Sequence, residues 1–149
     1  MVYQFKKGSH IKADPTIAAE MLEKLDAENN LTAKALVDVN RPEDAPLHNE
    51  FEWDDNVAAE AYREQQARHI INCLEIVHEE REPVRAYFSI ERKEATYQHI
   101  TAILKESDKR AQLFQTALAE LIAFKKKYAA LTEFAKVFDA IEEIEDEAV

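Results

Sequence analysis

PLHNEFEWDDNVAAEAYREQQARHIIN, residues 46–72, crowds His48, Glu50, Glu52, Trp53, Asp54 and Asp55 ahead of Arg63 and Arg68. Read as chemistry, the stretch would be a reaction centre; read as structure, it is a loop that launches a helix. A transition-metal site gathers two or more His or Cys at fixed spacing, as in His-Glu-x-x-His, and His48 has no such companion. A calcium loop needs a mid-loop glycine, whereas the chain's one glycine is Gly8. Adjacent carboxylates at a helix start are kept ionised by the helix dipole, which suits a cap better than a general acid. The structural reading therefore makes Asp54 the N-cap, with Asp55 adding favourable charge. Trp53 lies over Ala58 as a hydrophobic staple, and Phe51 and Trp53 anchor the loop to the core.

From that start the third helix is expected to run through Ala59, Tyr62, Ala67, Ile70, Leu74 and Val77, whose three-and-four spacing keeps them on one face. Upstream, residues 2–6 alternate as a short strand. Asp14 caps a helix carrying Ala18, Met21, Leu22 and Leu25 that Asn29-Asn30 stops, and Thr32 caps a shorter one ended by Pro42. Downstream, Val84, Ala86, Phe88 and Ile90 alternate with Arg85, Tyr87 and Ser89 as a half-buried strand. It should pair with residues 2–6, or with its equivalent in another chain.

From Tyr97 onward the pattern is helical. Phe114, Ala117, Leu121, Phe124, Tyr128, Leu131, Ala135 and Phe138 form a heptad seam that fits a coiled coil or helical hairpin, and Leu113, Leu118 and Ile122 widen the apolar face. The fold class is thus mainly α with a minor two-stranded β element: one compact helical domain over 1–149. Residues 108–145 are its long C-terminal helical segment and a candidate oligomerisation element.

Composition narrows function by exclusion. With 149 residues, 19 Lys and Arg against 30 Asp and Glu, and a net charge of -11, the average field repels phosphate backbones and anionic lipid. One glycine forbids the glycine-rich phosphate loops and the nucleophile elbow. Cys73, the single cysteine, excludes an internal disulfide and fits a reducing compartment. His69, four residues earlier, could share its helical face as a nucleophile pair, but packing is the commoner role of such a cysteine. No stretch approaches membrane-spanning length and no signal-like apolar run opens the chain, so a cytoplasmic protein with no membrane partner is expected.

The segments LTAKALVDVNRPEDA, PLHNEFEWDDNVAAEAYREQQARHII and EPVRAYFSI resemble a pattern of small uncharacterised bacteriophage and prophage proteins. The resemblance rests on Pro46-Leu47-His48, Phe51-x-Trp53-Asp54, Ala58-Ala59, Tyr62-Arg63 and Gln66-Ala67-Arg68. It implies a protein made in the bacterial host cytosol and supplies no active-site residue.

The function expected from these readings is non-enzymatic: protein–protein interaction through helical surfaces, with self-association and a host or phage protein as partners. No catalytic, cofactor or metal residue is assigned, and no cofactor. The candidate interaction residues are Trp53, Arg63, Arg68, Leu121, Phe124 and Tyr128, with Asp14 and Asp54 as structural caps. Arg63 and Arg68 could clamp an anion, although Glu60 and Glu64 lie within helical reach. Two alternatives stand. One is a DNA-associated accessory or regulatory protein using a helix-turn-helix-like pair at 18–40, against the charge. The other is an acidic inhibitor that mimics DNA on a host nucleic-acid enzyme.

Overall fold

The computed structural model describes residues 1–57, 59–90 and 96–148. The described residues are mainly helical with a minor β component. The chain divides into two compact units, Met1–Ala102 and Ile103–Val149.

In the first unit, strand β1 (Val2–Phe5) is followed by helices α1 (Pro15–Ala27), α2 (Ala33–Val39) and α3 (Glu60–Cys73). Asp14 caps α1 as expected, its Oδ1 accepting from the Thr16 and Ile17 amides at 2.7 and 3.2 Å. Asn29 ends it with φ 53°, while the Asn30 and Asn29 amides donate to the Leu25 and Asp26 carbonyls, so the last turn's orphan acceptors are satisfied. Thr32 Oγ1 caps α2 by accepting from the Ala35 amide at 3.0 Å. Gly8, at φ +85°, makes the tight turn out of β1 that a side chain would strain.

The expected start of α3 is corrected. The helix begins at Glu60, five residues late, and its N-cap Ala59 contributes no side-chain bond. Asp54 instead closes a turn of its own, its Oδ1 accepting from the Asn56 backbone amide at 2.9 Å and side-chain amide at 3.0 Å. An Asp oxygen binds amides two residues ahead as readily in a turn as at a cap, so the residue type was right and the element wrong. The proposed contact of Trp53 with Ala58 lies outside the described residues.

The expected end of α3 is corrected too. Leu74–Val77 is not helix but strand β2, antiparallel to β1 in the register Val2↔Val77 to Phe5↔Leu74. Leu74 and Ile76 are buried and alternate with half-buried Glu75 and Val77, and over four residues that alternation also satisfies a helical stripe. Strand β3 (Val84–Arg85) flanks β2, so the expected direct pairing of 84–90 with 2–6 is replaced by the order β1-β2-β3.

At Ala86 the chain leaves this sheet: its amide donates to the Leu74 carbonyl at 3.0 Å, and its carbonyl accepts from the Ile100 amide at 2.8 Å. Strand β4 (Tyr87–Ser89) then pairs antiparallel with β5 (Tyr97–His99), with Tyr87 opposite His99. Two expectations fall here. Tyr97–His99 is strand, and Tyr87, assigned outward by alternation, is completely buried because the break at Ala86 shifts the phase. The core joins α1, α2, α3 and β2 through Leu22, Leu36, Ile70, Ile71 and Leu74, with Tyr87 among them.

Helix α4 (Ile100–Lys105) leads to α5 (Ser107–Lys127). Of the two arrangements expected for the seam, the helical hairpin forms: after Tyr128 a short 3-10 turn at Thr132–Phe134 reverses the chain into α6 (Ala135–Glu147). The seam folds back on itself as a hairpin. Phe124 meets Phe134 and Phe138 at ring separations of 5.9 and 6.2 Å, and Lys125 Nζ pairs with Glu142 Oε1 at 2.7 Å.

Candidate functional site

The charged residues of the opening stretch are turned toward one another. The Trp53 ring stacks on His48 at 4.9 Å with a 7° interplanar angle, and its Nε1 donates to the His48 carbonyl at 2.8 Å. The Arg41 and Arg63 guanidinium carbons lie 5.8 and 5.5 Å from its centroid. Arg63, whose side chain is 8% exposed, donates to Asp55 Oδ1 at 2.8 Å and pairs with Glu60 at 3.1 Å. Glu60 also binds Arg41, so one carboxylate ties two arginines beside one indole. These bonds hold Arg63 in its charged form inside the chain, where it fixes the loop before α3; it presents no open clamp. Arg68, by contrast, is exposed and pairs with Glu64 at 3.6 Å.

Asn40 is the residue that holds this loop from beneath. Fully buried, it donates through Nδ2 to the Leu36 carbonyl at 2.8 Å and accepts at Oδ1 from the Leu47 amide at 3.0 Å. Its own carbonyl accepts from His48 Nδ1 at 2.9 Å. The sequence reading placed Asn40 on the second helix, ahead of Pro42, and gave it no structural role; the signal available was an asparagine directly after a buried helix face, which is weak.

The structure does bring Cys73 and His69 together, Sγ to Nδ1 at 3.5 Å. His69 Nε2 lies 2.8 Å from the Ser9 carbonyl, which can only accept, so Nε2 carries the proton and Nδ1 is left as acceptor for the thiol. Burial pushes the Cys73 thiol above its usual range, opposite to what a thiolate nucleophile requires. Among the described residues, no three His, Cys, Asp or Glu side chains are grouped to hold a metal ion, and no helix is long and apolar enough to cross a membrane. In the 18–40 pair, α2 is seven residues long with Ala33, Ala35, Leu36 and Val37 buried, and its single lysine, Lys34, is paired with Asp38 at 2.8 Å.

The remaining candidates lie on the C-terminal hairpin, and the structure separates them. Phe124 is half-buried in the aromatic cluster that closes the hairpin, with Tyr128 at 5.0 Å. Leu121 remains 40% exposed. It belongs to a row, Phe114, Leu121 and Tyr128, whose seven-residue spacing keeps it on one side of α5, and each member is exposed. Val137 and Ile144 repeat the same spacing on α6, also exposed. Among the described residues of this unit, those buried are Ile103, Leu118 and Ile141, so the accessory stripe of the sequence reading supplies the inward face of α5 while part of the expected seam points outward.

No family model, curated protein or solved structure matches this chain.

Proposed function

We propose that the protein acts without catalysing a reaction, by contact between helix faces, and that its first partner is a second copy of the same chain. The observation that carries the reading is the pair of exposed heptad-spaced rows, Phe114–Leu121–Tyr128 on α5 and Val137–Ile144 on α6. Two helices cannot bury apolar residues on every side, and heptad spacing is the repeat by which helices pack along one another. Two hairpins joined through such rows make a four-helix arrangement, and a self-complementary patch is the usual basis of a two-fold dimer. Following the resemblance of residues 46–72, the setting assigned is the cytoplasm of a bacterial host, with a host or phage protein as the further partner.

The test replaces one residue in each row, Leu121→Glu with Val137→Glu. Both side chains are exposed, so the Phe124 cluster and the Lys125–Glu142 pair should persist. Loss of the assembled species with unchanged helical circular dichroism supports the reading; assembly that survives both charges refutes it.

A further inference from the structure

The α5–α6 hairpin carries its charge unevenly along its length. Near the turn, Lys125, Lys126 and Lys127 end α5 and Lys136 opens α6, outnumbering Glu133 and Asp139. Toward the open end, α6 carries Glu142, Glu143, Glu145, Asp146 and Glu147 with no basic residue among them. The start of α5 is mixed, Asp108 beside Lys109 and Arg110, and Lys109 pairs with Glu106 at 2.9 Å. The turn end is therefore basic and the end of α6 acidic.

The exposed apolar rows run between these ends. Two heptads separate Phe114 from Tyr128, about 21 Å of helix, with Leu121 at the midpoint and Tyr128 at the basic end. The margins of the rows repeat the contrast. On α5, Glu120 precedes Leu121 and Lys127 precedes Tyr128; on α6, Lys136 precedes Val137 and Glu143 precedes Ile144. In a heptad the residue just before an apolar position borders the seam, where charges choose the direction of the partner helix.

A second copy can lie along this surface in two senses. With the turns together, lysines face lysines and the acidic ends of α6 face each other. Turned end for end about a two-fold axis at Leu121, each copy sets its turn-end lysines against the acidic end of the partner. The net charge of -11 repels two copies in either sense, so the contrast between the ends, and not the total, selects between them.

We propose that the hairpins dock antiparallel, turn end against open end, in a sense fixed by this charge contrast; the proposal rests on the self-association argued above. Phe114 then lies opposite the partner's Tyr128 on both sides of the axis, and Leu121 meets its own equivalent at the centre.

The test uses the full-length chain. Lys126→Glu with Lys127→Glu reverses one end, and Glu143→Lys with Glu147→Lys reverses the other; all four side chains are exposed. Each reversed chain alone should associate at least about tenfold more weakly than the parent in sedimentation at about 0.05 M salt, and mixing the two should restore parental affinity. The difference should close near 1 M salt, where charges act over only about 3 Å. In the parallel sense like charges face each other before and after reversal, so undiminished association of both reversed chains would overturn the proposal. A spin label at Gln112→Cys in a Cys73→Ala background measures the sense independently. Nine residues from Leu121, the two labels should stand about 27 Å apart or more, and a separation below about 20 Å would overturn the antiparallel docking. A parent chain that stays monomeric at every concentration defeats the self-association itself; a dimer indifferent to these charges keeps the self-association and defeats only its sense.

Discussion

Tyr87→Phe is expected to stabilise the protein. The substitution keeps the ring, and with it the 5.1 Å edge-to-face contact with His99, and removes one oxygen that has no partner among the described residues. Desolvating a hydroxyl without a replacement bond costs about 1–3 kcal/mol. Loss of a single oxygen opens only a small void, and a net gain of about 1–2 kcal/mol should remain. For a chain of this size that is several degrees in Tm. Urea unfolding, followed by fluorescence of the single tryptophan, Trp53, reads it directly. The midpoint should rise with an unchanged slope, the mark of altered stability and not altered compactness. A variant less stable than the parent would mean that the hydroxyl is already bonded, and would refute the reasoning.

Other substitutions test the frame around it. Asn40→Ala should destabilise by about 1–3 kcal/mol for each buried partner it orphans, the Leu47 amide foremost, as measured by urea denaturation. Asp14→Ala should cost about 1 kcal/mol as the loss of a cap, whereas Asp54→Ala, which touches only an exposed turn, should stay within about 0.5 kcal/mol; comparable losses at both would restore Asp54 as a cap. His99 titrates lower in the folded chain than in the unfolded one, chiefly through burial, so the unfolded state takes up its proton first. Its contribution is complete above the unfolded value of about 6.5 and falls away as pH drops through the lower folded value. Unfolding free energies of the parent and His99→Gln should therefore diverge with pH below about 6.5, and parallel profiles would refute the burial of this imidazole.

The parts legible in the sequence were those where one local signal stood alone. Asp14-Pro15, Thr32 and Asn29-Asn30 each have side chains or backbone freedom that suit one role at that position, and each does that role in the structure. The mainly helical class followed from a chain with one glycine and long three-and-four patterns. Errors came where two periods fit the same few residues. Leu74–Val77 extends the α3 stripe and also alternates, and only the presence of β1, about seventy residues away in the chain, selects strand. Tyr97–His99 is strand for the same reason, because β4 supplies its ladder. The hairpin turn at 128–134 contains no glycine or proline, so the seam left a coiled coil and a hairpin equally open and gave no place for the turn.

The site features were less legible. In the Trp53 stretch the residue types were noticed, but whether Arg63 faces solvent or its own chain depends on Asp55 and Glu60 closing over it. The cleft lined by Tyr3, Glu23, Tyr87 and His99 escaped altogether, since helix α1 and strands of two different sheets bring these residues together and no local spacing announces it.

The central claim, that this chain works by contact beginning with its own kind, is tested most directly by sedimentation equilibrium of the full-length protein over a wide concentration range. The account predicts a concentration-dependent approach to twice the chain mass. A single monomer mass at every concentration, with the hairpin folded, would contradict it.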